Sequence, residues 1–152
     1  DMDNINIRNG TPEDADTIAH FQKQMAMETE DKALEDDLIK PGVRAIFESP
    51  NKGFYLVAEI EESIVGSLLV TYEWSDWRNS WFWWVQSVYV EKSHRRKGIY
   101  SHLYNEVLSK CKKSEQTCGI RLYVEKENKI AQKVYSDLGM CETNYRLYEA
   151  HL

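Results

Sequence analysis

A cationic turn is the stretch of this sequence whose residue types are best suited to chemistry. The turn reads His94-Arg95-Arg96-Lys97-Gly98. Residues 81–90 before it are apolar, aromatic or β-branched except at Gln86 and Ser87, which predicts a strand buried on both faces. After it, apolar residues recur at steps of three and four over 100–111, which predicts a helix. A strand, a glycine turn and a helix start aim unpaired N–H groups and a positive dipole at one point, which predicts a phosphate site.

The turn differs from the two commonest phosphate loops. A P-loop needs Gly-Lys-Ser/Thr, and a dinucleotide fingerprint needs three glycines where this turn has one. The stretch resembles instead the acetyl-CoA motif of the GNAT superfamily of N-acetyltransferases, Arg/Gln-x-x-Gly-x-Gly/Ala, here Arg95-Arg96-Lys97-Gly98-Ile99-Tyr100. Tyr100 departs from the motif, and because Gly98 is retained we expect only the fit near the pyrophosphate to change. Taken alone, the motif is also compatible with a basic helix start in an ordinary α/β domain.

A second stretch strengthens the resemblance. Asn128-x-x-Ala131-x-x-x-Tyr135-x-x-x-Gly139 is similar to the superfamily's second cofactor segment, with Met140 where phenylalanine is usual. The predicted element order, β-α-α-β-β-β-α-β-α-β, is also the order of that superfamily. The chain is therefore identified as a member of it, and the resemblance covers essentially the whole sequence.

The resemblance implies a fold and a binding mode for acetyl-CoA. We expect one α/β domain over residues 1–152, with a mixed, mostly antiparallel sheet that splays where the cofactor enters. The pantetheine arm would pair with residues 88–90, the Val88 N–H would stabilise the oxyanion, and the pyrophosphate would lie on the N–H groups of 96–101. The implied cofactor-binding residues are Val88, Tyr89, Val90, Arg95, Arg96, Lys97, Gly98, Ile99, Tyr100, Ser101, Asn128, Ala131 and Tyr135.

The reaction needs a donor to the leaving thiolate and a base for the amine, and a tyrosine and a carboxylate are the candidates. Within the resemblance, Tyr135 hydrogen-bonds the departing thiolate, although it also fits the apolar face of its helix. Many members of the superfamily place a carboxylate base on the central strand, but Gln86 stands there and cannot take a proton. Glu28 is the predicted substitute, at the end of the first helix, and Glu73 acting through water is the other candidate. A plain surface role remains the alternative for each carboxylate.

The acceptor is inferred from charge and from aromatic residues. Six carboxylates lie between Glu28 and Asp37, against Lys32 alone. We expect them to attract a small cationic amine such as a polyamine, a lysine analogue or an aminosugar, loosely as in the spermidine/spermine branch of the superfamily. The predicted acceptor-binding residues are Glu28, Glu30, Trp74, Asp76, Trp77 and Gln86. Two solvated surface helices explain the charges equally well, and a protein amine or a non-catalytic acyl-CoA sensor are the alternative functions.

Composition restricts the class of protein. The chain has 152 residues, 42% hydrophobic and 29% charged, as in one soluble globular domain. A net charge of −6 argues against a nucleic-acid partner, and no apolar run is long enough to span a membrane. The first residues lack the features of a signal peptide, and three cysteines without metal-ligand spacing indicate reduced thiols and no metal. We therefore expect a cytoplasmic protein, which the resemblance and the tryptophan-rich strand predict to be a homodimer.

The elements that position these residues are predicted from periodicity and from caps. Strands are expected at about 5–8, 54–58, 64–72, 81–90, 120–124 and 140–149, the last as a strand or a hairpin. Helices are expected after Thr11-Pro12, at about 33–47 with a kink or break at Pro41, from about 100 to 111, and from 128 to 138.

Overall fold

The computed structural model describes residues 4–152; residues 1–3, on which the expectation of no signal peptide partly rests, lie outside that range. The chain forms two compact units, one ending at Leu122 and the other comprising Tyr123–Leu152. One domain over residues 1–152 stays a prediction. The first unit contains, in chain order, β1 (Ile5–Asn9), α1 (Ala15–Glu30), α2 (Asp36–Glu48), β2 (Phe54–Ile60), β3 (Ser63–Ser75), β4 (Ser80–Val90), α3 (Ile99–Lys113) and β5 (Thr117–Arg121).

Five strands form one sheet in the order β1-β2-β3-β4-β5. Neighbouring strands are antiparallel from β1 to β4, whereas β5 runs parallel to β4. β4 lies inside the sheet, as its nearly continuous apolar sequence predicts. The predicted fold class, an α/β fold with a mixed, mostly antiparallel sheet, is confirmed.

Two apolar layers hold the helices of the first unit against its sheet. The apolar face of α3 packs on one side of β2, β3 and β4, through Ile99, Leu103, Val107 and Cys111. α1 and α2 cover the other side, where Ile18, Ala19 and Val43 pack against Tyr55 and Val57 of β2. Both contacts follow from helices with a single apolar face.

Several boundaries differ from the prediction because pairing partners set them. β3 continues to Ser75 rather than ending near residue 72, since Trp74 and Ser75 pair with Trp81 and Ser80, and the turn to β4 is residues 76–79. β5 ends at Arg121 rather than near residue 124, because its register follows the first half of β4. α2 begins at Asp36 and contains Pro41 without being divided by it.

The hairpin between β2 and β3 turns without the asparagine and glycine that such turns prefer. Its two central residues, Glu61 and Glu62, have φ values of 50° and 66°. Positive φ at both positions is the signature of a type I′ turn, whose twist matches that of the strands. The short loop predicted between the two strands is therefore a tight hairpin turn.

The second unit contains α4 (Lys129–Asp137). Gly139, two residues after its end, has a φ of 92°, as expected of a glycine that closes a helix. The predicted strand or hairpin at 140–149 is wrong: no strand is found between residues 139 and 152. A strand needs a neighbour for its backbone groups, and within residues 4–152 none pairs with this segment.

Candidate active site

β4 is paired on both sides over only part of its length. β3 runs alongside almost the whole strand, but β5 pairs only with Trp81–Trp84, which we call the closed half. The open half, Val85–Val90, has no strand against its β5 side in the part of the chain that the structure describes. Apart from the Val90 carbonyl, which accepts a bond from Arg95, backbone groups on that side are available to an extended ligand, because an unpaired strand edge accepts a further strand.

A β-bulge at Ser87 decides where the side chains of the open half lie. One extra residue of β4 is inserted between its pairings with Leu69 and Ser67. Ser87 has a φ of 51°, in the left-handed region that non-glycine residues seldom occupy. The insertion shifts the alternation of side chains and turns Tyr89 towards α1, where its ring lies 5.2 Å from that of Phe21.

The turn between β4 and α3 has the geometry of an anion site. Arg96 and Gly98 have φ values of 64° and 79°, and Gly98 is the N-cap residue of α3. The His102 N–H donates to the Gly98 carbonyl at 3.1 Å, so the N–H groups of residues 99–101 lie in the first turn, before the intrahelical bonds begin. Arg96 and Lys97 are exposed, and no ion pair to either is found within residues 4–152.

Tyr100, which replaces the small residue of the motif, packs along its own helix. Its ring lies 6.3 Å from the ring of Tyr104, one turn further on. Its hydroxyl oxygen is buried. The larger side chain is therefore accommodated by packing on α3, and the first-turn backbone of the helix stays regular.

Glu28, the predicted base, has both carboxylate oxygens engaged. The Tyr89 hydroxyl donates to Oε2 at 2.6 Å, and the Arg95 guanidinium donates to Oε1 at 2.7 Å. The bond from Tyr89, and then the contact with Arg95, hold the pKa of Glu28 below its ordinary value. Burial, and then the bond to Glu28, raise the pKa of Tyr89 to about 12.

Glu73 is held differently. The indole N–H of Trp84 and the guanidinium of Arg121 both donate to its Oε1, each at 2.9 Å. These contacts, with the Trp84 bond as the larger cause, lower the pKa of Glu73. The described part of the chain offers no hydrogen bond to Oε2, and the side chain is 43% exposed. Glu73 is thus an oriented carboxylate with one oxygen open to a ligand.

Gln86 lies on the same side of the sheet as Glu73. Its amide donates to the Thr71 hydroxyl at 2.5 Å. Thr71 pairs with Trp84, and Glu73 pairs with Phe82. Alternate side chains of a strand lie on the same side of a sheet, so Gln86, Thr71 and Glu73 form one row of polar side chains, which we call the polar track. Gln86 begins the track beside the bulge, and Glu73 ends it.

The other predicted acceptor residues lie apart from this track. Trp74 packs against Trp81 at 4.9 Å, on the opposite side of the sheet from Gln86. Asp76 and Trp77 belong to the exposed turn after β3, and Trp77 is 88% exposed. Glu30 is the exposed last residue of α1. The structure therefore does not bring the two tryptophans together with Gln86.

The second unit presents its predicted residues on one face of α4. The Asn128 side-chain oxygen accepts a bond from the Ala131 N–H at 3.1 Å and so caps the helix. Tyr135 follows Asn128 by seven residues, which is two helical turns, so it lies on the same face about 10 Å along the axis. The motif spacing thus aligns the three side chains.

Two features of the site are not predicted by the sequence. The sequence predicts only a strand at Arg121, whereas the Arg121 guanidinium holds Glu73 and lies 3.6 Å from the centre of the Phe82 ring. The bulge at Ser87 is the second, and its one signal in the sequence is a small polar residue inside an apolar run.

No group of three or more His, Cys, Asp or Glu side chains that could hold a metal ion is found in the described part of the chain. None of its helices is both long and apolar enough to cross a membrane.

The first unit is suited to one kind of ligand. An unpaired strand edge binds an extended arm through backbone hydrogen bonds, and a helix N-terminus binds a phosphate. Only the short 3₁₀ turn Lys92–His94 and the basic residues separate the two features. A ligand with an amide-bearing arm attached to a pyrophosphate fits both.

The comparisons with known proteins agree with the fold and the site. Residues 16–140 match the Acetyltransferase (GNAT) family. The chain is similar to the structure of a possible acetyltransferase from Clostridium difficile 630, with 46% identity over 97% of each chain and a TM-score of 0.90. No curated protein sequence matches significantly.

More distant structures share the fold. A predicted acetyltransferase with acetyl-CoA from Clostridium acetobutylicum has 16% identity over 96% of each chain and a TM-score of 0.78. A transcriptional regulator from Bacillus halodurans C-125 has 23% identity over 97% of this chain and 99% of its own, with a TM-score of 0.81. The family match and the 46% identical relative carry the assignment. The chain belongs to the Acetyltransferase (GNAT) family and is an acetyltransferase.

Proposed function

We propose that the protein transfers an acetyl group from acetyl-CoA to a primary amine of a small cationic acceptor, by direct attack in a ternary complex. The observation that carries the proposal is the open half of β4, which leads directly into the basic start of α3. An amide-bearing arm fits the strand edge, and a pyrophosphate fits the helix start. When bound, acetyl-CoA supplies the acetyl group as an activated thioester.

The first unit supplies the backbone donors in this proposal. Val88–Val90 pair with the extended arm, and the Val88 N–H, beside the bulge, donates to the carbonyl oxygen as negative charge develops on it. The N–H groups of Arg96–Ser101 hold the pyrophosphate. Arg96 and Lys97 add positive charge, which salt screens because both side chains are exposed.

Helix α4 supplies the remaining contacts in this proposal. Asn128 and Ala131 border the arm, and the Tyr135 hydroxyl donates to the departing sulfur. A phenol with a pKa of about 10 does not transfer its proton fully to a thiolate of pKa about 8.5, but a hydrogen bond from it stabilises that thiolate. The proton lost by the product amine balances the reaction.

Acceptor recognition rests on the carboxylates. The acidic residues from Glu30 to Asp37 draw a cation towards the site, although Asp36 is already paired with Lys23 at 2.6 Å. Glu73 is four residues beyond the β3 partner of Gln86, about 13 Å along the strand. Its open oxygen therefore suits a second positive charge on the acceptor, remote from the amine that reacts.

The reactive amine must lose a proton before it attacks. Glu28 was the predicted proton acceptor, but both of its oxygens have other partners. We propose that water takes the proton, so that the logarithm of kcat/KM rises with unit slope as pH increases towards the amine pKa of about 10. A profile that levels off near the pKa of a carboxylate would instead favour Glu28 as the base.

An acceptor panel tests the proposal. Acetylation of a polyamine, a lysine analogue, an aminoglycoside and a peptide is measured with the wild type and with Tyr135→Phe. The expected result is preference for a diamine-like acceptor, with kcat about 10- to 100-fold lower in the variant and acetyl-CoA affinity unchanged. Binding of acetyl-CoA without turnover of any amine would favour the sensor, and preference for the peptide would favour a protein acceptor.

We further propose that the enzyme is a homodimer. The last segment carries Leu147 and Tyr148 with exposed side chains, and within residues 4–152 no strand pairs with it; such residues support association with a second copy. Sedimentation should then give twice the 17.9 kDa chain mass at micromolar concentration. A single species of chain mass would contradict dimerisation.

A further inference from the structure

Arg95, the first residue of the phosphate-binding motif, folds back onto the end of β4. Its Nε donates to the Val90 carbonyl at 2.8 Å, and its guanidinium carbon lies 5.3 Å from the centre of the Tyr89 ring. Its terminal nitrogen is 2.7 Å from Glu28. The Arg95 guanidinium therefore has three partners within the protein, although the side chain is 39% exposed.

The contact with Val90 falls on the open side of the strand. The Glu91 N–H donates to the Val65 carbonyl at 2.8 Å, which makes Gly66 and Val90 a non-hydrogen-bonded pair. In such a pair the backbone groups of each residue point away from the partner strand. The Val90 carbonyl thus points towards the open side, and Arg95 closes the edge where the strand ends and the turn begins.

Glu28, on helix α1, holds Tyr89 and Arg95 in this arrangement. It lies in the last turn of α1, and its two oxygens bind the Tyr89 hydroxyl of β4 and the Arg95 guanidinium. One carboxylate therefore joins α1, the open half and the cationic turn. Charge-assisted bonds of this length impose a defined geometry on a flexible arginine, which sets where the following backbone begins.

We propose that Glu28 is a positioning residue for acetyl-CoA, acting through Arg95 on the end of the open half and on the turn that holds the pyrophosphate. This inference rests on the proposed function and assigns Glu28 to the cofactor side of the site. It differs from the role predicted by the sequence, in which the same carboxylate takes a proton from the acceptor.

The test separates cofactor affinity from acceptor kinetics. Glu28→Gln is compared with Glu30→Gln, an exposed carboxylate at the end of the same helix. Calorimetry with acetyl-CoA should give a Kd roughly three- to tenfold higher for Glu28→Gln and unchanged for Glu30→Gln. For Glu28→Gln, the acceptor KM, and kcat at saturation with both substrates, should stay within about twofold of the wild type.

A charge exchange adds a second readout. Glu28→Arg combined with Arg95→Glu should recover part of the affinity that each single variant loses, because the two side chains act through one contact. If Glu28→Gln does not fold, Arg95→Lys serves as the test variant instead, since lysine keeps the charge but cannot bridge Val90 and Glu28.

The outcomes are distinct. An unchanged acetyl-CoA Kd in Glu28→Gln, or a selective loss of kcat or acceptor affinity, overturns the positioning role while the proposed function stands. A wild type that binds no acetyl-CoA overturns both. A raised Kd with acceptor kinetics preserved supports the positioning role.

Discussion

The two halves of β4 belong to one strand but differ in what surrounds them. The closed half, Trp81–Trp84, pairs with β3 on one side and β5 on the other. Among the described residues, the open half, Val85–Val90, pairs only with β3; it contains the bulge and ends at the cationic turn. In the closed half, the backbone groups on both edges of β4 pair with neighbouring strands. In the open half, one edge of β4 is left for a ligand.

The closed half contributes mainly to the stability of the sheet, and the open half contributes mainly to the site. Side chains of the closed half hold the sheet together, as Phe82 does beneath the Arg121 guanidinium. The open half contributes mainly backbone groups, whose positions depend on Ser87 and on the contacts of Tyr89. Substitutions in the closed half should therefore change folding, and those in and next to the open half should change acetyl-CoA binding.

The largest effect is expected in the closed half. Phe82 is buried, and the position of a Cβ on Gly119 would lie 2.9 Å from its ring, so the packing around it is tight. Phe82→Ala should lower the free energy of unfolding by about 3–5 kcal/mol and leave the acetyl-CoA Kd of the folded protein unchanged. Urea denaturation and calorimetry check this. A normal stability with weakened binding would reverse the proposed division between the halves.

A negative charge at the start of α3 should instead weaken acetyl-CoA binding. Gly98→Glu places a carboxylate where the pyrophosphate is expected, and Gly98→Ala is the control because both replacements strain a φ of 79°. Relative to the alanine variant, the glutamate variant should bind acetyl-CoA about 100-fold more weakly, or about 2.7 kcal/mol. Equal affinities would mean that the phosphate lies elsewhere.

The bulge should affect both stability and turnover, but less strongly. A β-branched residue tolerates the left-handed φ of Ser87 poorly, so Ser87→Val should destabilise the protein by about 1–2 kcal/mol and also lower kcat. Ser87→Gly keeps the conformation accessible and serves as the matched control. Urea denaturation and steady-state kinetics check both variants, and wild-type behaviour of Ser87→Val would show that the bulge is unimportant.

The smallest effect is a shift in titration. The pKa of Tyr89, raised to about 12, should fall towards the ordinary value of about 10 in Glu28→Gln, which removes the carboxylate charge while burial remains. Since the folded pKa is raised, this group's stabilising contribution is present below about pH 10 and is lost as the pH rises towards 12. NMR titration of labelled tyrosine checks the shift, and an unchanged Tyr89 pKa would show that burial alone causes it.

Local patterns predicted much of the fold and of the cofactor site. The strand at 81–90, the glycine turn and α3 follow from residues within one stretch, and Asn128 is an N-cap as its position predicts. Such features depend on neighbours in sequence, so one sequence contains the information needed to find them.

Features that depend on distant partners were missed. Tyr89 and Arg95 contact Glu28 across 61 and 67 residues, and nothing near Glu28 in sequence indicates either partner. The bulge is defined by the register against β3, and the last predicted strand failed because alternation alone supplies no neighbour.

Amide hydrogen exchange with and without acetyl-CoA tests the central claim most directly. Val88 and Val90 on the open half, and residues 99–101 of α3, should gain protection when acetyl-CoA binds, because their N–H groups then have acceptors. Trp81–Trp84 should show no change, since these residues already pair on both sides. Protection that appears elsewhere, with the open half unaffected, would contradict the assignment of this edge to the cofactor.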